Sequence, residues 1–280
     1  MKPAPFEMAR PRDLDEALDL LERHGEDARL IAGGQSLVPL MNLRLAAPPL
    51  LIDLNGVAGL AGIRLDGGML RIGAATRQQD LLDSAIVRAH APLIAAAVRH
   101  TGHLATRCRG TVGGSLANAD PASELVLSAI TLRAQVTLRD KTGTRTLRAQ
   151  EFFRDALTTA LAPTEILTEL AVPVAPPGTR VAVRRHARRL GDFAIASAAI
   201  QRAPGEDGLR AGLGAVAAVP FACQRIEDAY RARRLAEEID ALIAAELAAI
   251  EPIADLRSSA SYRRRLAAVC LADAIRDVLA

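Results

Sequence analysis

The chain contains no tryptophan, two tyrosines and five phenylalanines, so it lacks the aromatic platforms on which single-stranded nucleic acid stacks. Lysine is nearly missing too: Lys2 and Lys141 stand alone, and all other Lys/Arg positions are arginine. The formal charge of +3 therefore reflects an arginine-rich composition more simply than a phosphate-binding surface, and no nucleic-acid partner is expected. Three cysteines, Cys108, Cys223 and Cys270, are far apart and odd in number, so no disulfide framework or Cys-x-x-Cys metal pair is available. No apolar run approaches the roughly 18 residues a membrane span needs. The opening "MKPAPFEMARPRDLDEAL" carries no apolar secretory core. Together these absences predict a soluble, cytoplasmic chain with reduced thiols.

What is present is long enough, at 280 residues, for one to three domains. "RDLDEALDLLERHG" predicts a helix capped by Asp13 and stopped at Gly25, with Ala17, Leu18 and Leu21 on one face. Residues 28–32 and 49–54 read as strands flanking a short helix that contains Pro39, a small parallel unit. Asp66-Gly67-Gly68 and Lys141-Thr142-Gly143 mark two hairpins. A polar helix is expected at "RQQDLLDSAIV" and an apolar one at "APLIAAAVRHTG". Another is expected to be capped by Asp120 and to run to about Arg133, before a strand at 165–174. "PVAPPG" (173–178) is the best linker. Beyond it, three strand-like pieces, with a turn at "APGEDG", precede a helical remainder. The expected division is 1–57, 58–172 and 173–280, the last a three-stranded sheet with helices.

Two stretches need a chemical explanation: "RLIAGGQSLVPLM" and "RGTVGGSLANADPASEL". Adjacent glycines let backbone N–H groups approach an anion, a neighbouring serine adds a hydroxyl, and a helix start adds its positive end. One Gly-Gly pair alone is more simply a tight turn. Two pairs in similar contexts leave both readings open. Neither stretch is a G-x-G-x-x-G fingerprint or a P-loop.

Those two stretches, with "FEMARPRDLDEAL", "GDFAIASAAI" and "SYRRRLAAVCLADAI", resemble the FAD-binding medium subunit of molybdenum hydroxylases across essentially the whole chain. The resemblance implies an α+β fold: a vanillyl-alcohol-oxidase (PCMH)-type FAD domain of two α/β subdomains plus a small C-terminal α+β domain. It implies that Ile31, Ala32, Gly33, Gly34, Gln35, Ser36 and Leu37 contact FAD from the first stretch. Gly110, Thr111, Gly113, Gly114 and Ser115 would do so from the second, which also carries Asp120, and Thr106 and Ile166 from outside it. Glu124 stands where a family carboxylate holds the adenosine ribose, and Arg185 and Phe193 stand near the expected isoalloxazine. Where many relatives read Gln-Ile-Arg-Asn, this chain has Ala105, Thr106, Arg107 and Cys108, so only Arg107 is shared.

By that resemblance the chain is an oxidoreductase subunit with no catalytic side chain of its own, because the cofactor carries the chemistry. Its partners would be an iron–sulfur small subunit and a molybdopterin large subunit. Electrons would pass through FAD to NAD⁺, a quinone or another acceptor. The alternatives are a self-contained flavin oxidoreductase of the same fold and a non-catalytic nucleotide-binding subunit. His100, His103 and Cys108 could be drawn as a zinc site, but Gly102 interrupts them and solvated histidines at a helix end are the simpler reading. The acidic face Asp13, Asp15, Glu16 and Asp19 is expected to be solvated. The arginine groups at 184–189, 231–234 and 263–265 are expected either to be solvated or to dock partners.

Overall fold

The computed structural model describes residues 2–205 and 208–280; Glu206 and Asp207 of the expected "APGEDG" turn lie outside the described residues. The N-terminal region builds strand β1 (Glu7–Ala9), helix α1 (Leu14–His24), β2 (Ala28–Ile31), α2 (Leu37–Asn42) and β3 (Leu50–Asp53). The strands form a parallel sheet in the order β1-β3-β2. Asp13 caps α1 by accepting from the Glu16 N–H, and Ala17, Leu18 and Leu21 are buried as expected. The acidic face is not merely solvated. Asp15 pairs with Arg139, and Asp19 and Glu22 share Lys141. The Lys141 bond holds the Asp19 carboxyl below its usual range.

The middle region runs through β4 (Ile63–Asp66), β5 (Met69–Gly73), α3 (Gln78–Asp83), α4 (Ala85–His90), α5 (Pro92–Val98) and α6 (Leu104–Arg109). It continues through α7 (Val112–Asn118), α8 (Glu124–Thr131), β6 (Gln135–Arg139), β7 (Thr144–Arg148), α9 (Ala149–Phe152), β8 (Phe153–Asp155), β9 (Thr158–Thr159) and β10 (Ile166–Pro173). An antiparallel sheet in the order β4-β5-β10-β6-β7 puts β10 at its centre, between the two hairpins. Two expectations are corrected here. "RQQDLLDSAIV" breaks at Ser84, whose extended backbone ends α3 and whose hydroxyl caps α4. The helix expected to start at Asp120 starts at Glu124, capped by Ser123; Asp120 instead accepts from the Ala122 N–H in the preceding turn.

The last region contains β11 (Arg180–His186), β12 (Ala196–Arg202), β13 (Leu209–Gly214), β14 (Phe221–Ala222), α10 (Gln224–Arg231), α11 (Leu235–Ala248) and α12 (Ala260–Leu279). Its antiparallel sheet follows chain order and has four strands, not three, because the two-residue β14 pairs with β13. Helix α12 packs on β11 and β12, and Ala267, Leu271, Ala274, Ile275 and Val278 enter a second core, distinct from the one that the N-terminal and middle regions build together with Ala199 of β12. Arg263, expected in a solvated or docking group, is 1% exposed. Its guanidinium donates to the carbonyls of Ile253, Ile195 and Ala215 and pairs with Asp255, fastening α12 beneath the sheet. Arg231 and Arg234 do sit in surface pairs, with Asp228 and Glu238. Helix α8 joins the two cores: Leu127 and Thr131 lie so close to Gly212 that a Cβ there would meet Thr131 Oγ1 at 2.1 Å. Arg133, just past its end, pairs with buried Glu227 of α10.

Candidate functional site

The first Gly-Gly stretch leaves β2 through a turn at Gly34, whose φ of 69° suits glycine. Ser36 occupies the cap position of α2 without using its side chain as a cap. Among the described residues, the N–H groups from Gly33 to Leu37 donate to no protein acceptor. Five consecutive backbone donors are thus available on one side of a cleft.

The second stretch differs from expectation. It is the first turn of α7, not a loop before a helix, and its amides are already used. Val112 donates to the Thr76 carbonyl, Gly113 to Ala74, and Gly114 to the hydroxyl of the cap residue Thr111. Its glycines serve close approach instead. A Cβ on Gly113 would lie 2.5 Å from the Ala74 Cβ, and one on Gly110 would lie 2.6 Å from Gln78 Oε1.

The two stretches touch backbone to backbone. A Cβ on Gly33 would lie 2.5 Å from the Arg109 carbonyl oxygen and 2.8 Å from Gly110 Cα. A polar clamp holds them there. Arg77 donates to the Arg109 carbonyl at 2.5 Å and to Asn55 Oδ1 at 2.6 Å, and Asn55 donates to the Ala32 carbonyl at 2.8 Å. Next along the chain, buried Gln78 donates through Nε2 to Ser115 Oγ at 2.7 Å. Neither Arg77, Gln78 nor Asn55 is evident in the sequence as a site residue. They read there as part of a polar helix and a strand end.

The cleft measures about 1060 Å³, just above the range of about 300–1,000 Å³ for small-molecule sites. Of the eighteen expected residues, seventeen line it: Ile31 through Leu37, Thr106, Gly110, Thr111, Gly113 through Ser115, Asp120, Glu124, Ile166 and Phe193. Arg185 does not. Residues not singled out from sequence complete the walls, notably Ala74, Asn118, Leu161 to Pro163, and Gly191 with Asp192. Glu165 holds the 161–163 segment: its carboxylate takes two bonds from Arg145 and one from the Ala162 N–H.

Arg185 sits behind the cleft wall. Its guanidinium donates to the carbonyls of His100 and Asp192, so it ties the segment carrying Gly191 and Phe193 to the end of α5. Its Nε faces Glu124 Oε1 at 3.7 Å, too long for a hydrogen bond. Burial consequently dominates, and pushes the Glu124 carboxyl above its usual range despite a backbone hydrogen bond, the Arg185 charge and the Thr101 hydroxyl. Burial, with the Arg185 and Arg99 charges, pushes His100 downward. His103 packs its ring under Gly191, where a Cβ would meet Cε1 at 2.4 Å.

This arrangement fits FAD by its donor set and its shape. Free amides and a serine hydroxyl suit a diphosphate, glycines keep the walls close, and the cleft extends from polar loop ends to the half-exposed Phe193 ring. Comparison with known proteins agrees. Residues 4–175 match the FAD binding domain in molybdopterin dehydrogenase, and residues 181–278 match the CO dehydrogenase flavoprotein C-terminal domain. The carbon monoxide dehydrogenase medium chain of Hydrogenophaga pseudoflava is 36% identical over 95% of this chain and 94% of its own. The glyceraldehyde dehydrogenase medium chain of Sulfolobus acidocaldarius is 33% identical over 99% and 100%. A solved carbon monoxide dehydrogenase from H. pseudoflava superposes with a TM-score of 0.95 at 36% identity, covering 100% of this chain and 99% of that one. The chain therefore belongs to the FAD-binding medium-subunit family of molybdenum hydroxylases, and is an FAD-dependent oxidoreductase subunit.

Proposed function

We propose that the cleft between the two Gly-Gly stretches holds FAD, and that the chain relays electrons within a larger enzyme. The free amides of Gly33 to Leu37 hold the diphosphate from one side and the Ser115 hydroxyl from the other. Gly110, Gly113 and Gly114 let α7 come close enough for this. Glu124 and Asp120 stand at the adenosine end. Ile166 and Phe193 flank the ring, while Thr106 and Thr111 line the wall between. Arg185 acts from outside the cleft by holding the Gly191–Phe193 segment. The cofactor supplies two-electron chemistry when bound; the protein binds it, orients it and limits solvent at its ring.

The division at 57/58 and 172/173 follows the same reading, with FAD between the first two parts. The partners are an iron–sulfur small subunit and a molybdopterin large subunit in the cytoplasm, and the electrons leave to NAD⁺, a quinone or another acceptor. The carrying observation is the row of five unused amides facing a cleft lined by the second glycine stretch. The test is to purify the chain with its partners, strip the flavin with chaotropic salt, and follow electron transfer to a panel of acceptors. Transfer should vanish on stripping and return with FAD but not FMN. Full transfer in the stripped complex would refute the role, and substrate turnover by this chain alone would favour a self-contained oxidoreductase.

A further inference from the structure

Gln78 is a buried polar side chain in the cleft wall, beside Ser115. It is 4% exposed, its Nε2 donates to Ser115 Oγ at 2.7 Å, and its Oε1 meets no donor among the described residues. An acceptor buried without a partner is destabilising, and an apolar side chain of similar length would avoid that cost. Gly110 makes the placement possible, since any Cβ there would strike the Gln78 amide.

The consequence falls on Ser115. A serine hydroxyl has one proton and two lone pairs, and can turn to donate or accept. With one lone pair taken by the Gln78 N–H, the oxygen is an acceptor toward the protein, and its single proton points elsewhere. No described group accepts that proton. We infer that Gln78 is a positioning residue: it fixes Ser115 as a donor toward the cleft, and so selects an anionic oxygen, here a diphosphate oxygen of FAD. Ser115 unconstrained could instead turn its proton to the Thr111 carbonyl one helical turn back, a common alternative for helical serines. The Gln78 bond works against that rotation.

This inference rests on the placement of the diphosphate beside Ser115, and a double-mutant cycle separates the two claims. FAD affinity of the full chain is measured by calorimetric titration for the wild type, Gln78→Met, Ser115→Ala and the double variant, with thermal melting as the check on folding. Ser115→Ala is expected to weaken FAD about 10- to 100-fold, the range for one hydrogen bond to a charged group. Gln78→Met is expected to weaken it about 10-fold in the wild type and less than about 2-fold in the Ser115→Ala chain. Gln78→Leu replaces the Met variant if that one does not fold.

An equal loss in both backgrounds would show that Gln78 only supports the wall, and would overturn this inference while leaving the diphosphate site intact. No effect of Ser115→Ala would overturn the site placement itself. A wild-type chain that takes up no FAD would overturn both. Failure of both Gln78 variants to fold would also contradict the proposal, because the buried amide would then be required by the fold itself and not by the orientation of Ser115.

Discussion

Gly33→Ala tests the contact between the two Gly-Gly stretches with a single methyl group. The new Cβ would lie 2.5 Å from the Arg109 carbonyl oxygen and 2.8 Å from Gly110 Cα, both backbone atoms that cannot rotate away. Ordinary contact begins near 3.4 Å, so the stretches must part by about 0.9 Å. Overpacking of this kind costs about 1–3 kcal/mol. It also moves the Gly33–Leu37 amides relative to Ser115. Losing the alignment of one charge-assisted bond costs about 1.5–3 kcal/mol, or roughly 10- to 100-fold in affinity. The prediction is an FAD dissociation constant raised by that factor, with the far-ultraviolet spectrum unchanged, measured by titration of the purified chain. Gly143→Ala is the control, because nothing lies within 4 Å of a Cβ there. Wild-type FAD affinity in Gly33→Ala would refute the close approach of the two stretches as a determinant of binding.

Further outcomes follow from other parts of the site. Arg77→Met removes the bonds to the Arg109 carbonyl and Asn55, and should weaken FAD about 10-fold, as seen in flavin retained after gel filtration. Glu165→Gln should lower stability at pH 7 in chemical unfolding. Arg145 holds this carboxyl below its ordinary 4.5, so the stabilisation is present above 4.5 and is lost as pH falls through the folded value. The gap between wild type and variant should therefore close in acid, and a gap independent of pH would contradict the ion pair as its source. Arg263→Met should destabilise the C-terminal core by several kcal/mol in thermal or denaturant melts, since it strips the donors from three backbone carbonyls at once.

The sequence made the parts with strong local signals legible. α1, both hairpins, β10 and the strands beyond the linker have alternation, caps or turn glycines that identify them without tertiary context. β1 is not legible in the sequence, because Glu7–Ala9 is three residues long and gains its identity only by pairing with β3. Asp120-Pro121 is a good cap signal in sequence, yet Ser123 wins three residues later as the cap of α8, and Asp120 closes the turn before it. The glycine stretches were visible, yet their unlike roles were not. Free amides in one and consumed amides in the other depend on Ala74 and Thr76, more than thirty residues away in sequence. The same holds for Arg77, Gln78 and Arg263, whose polar side chains read as surface until partners from distant segments surround them.

The most direct test of the account is hydrogen–deuterium exchange of the full chain with and without FAD, read at Gly33–Leu37 and at Val112–Ser115. Among the described residues the first group has no protein acceptor, so it should exchange rapidly without FAD, then become protected when FAD binds. The second group is already hydrogen-bonded and should change little. Saturation with FAD that leaves Gly33–Leu37 exchanging as before would contradict the placement of the diphosphate against those amides.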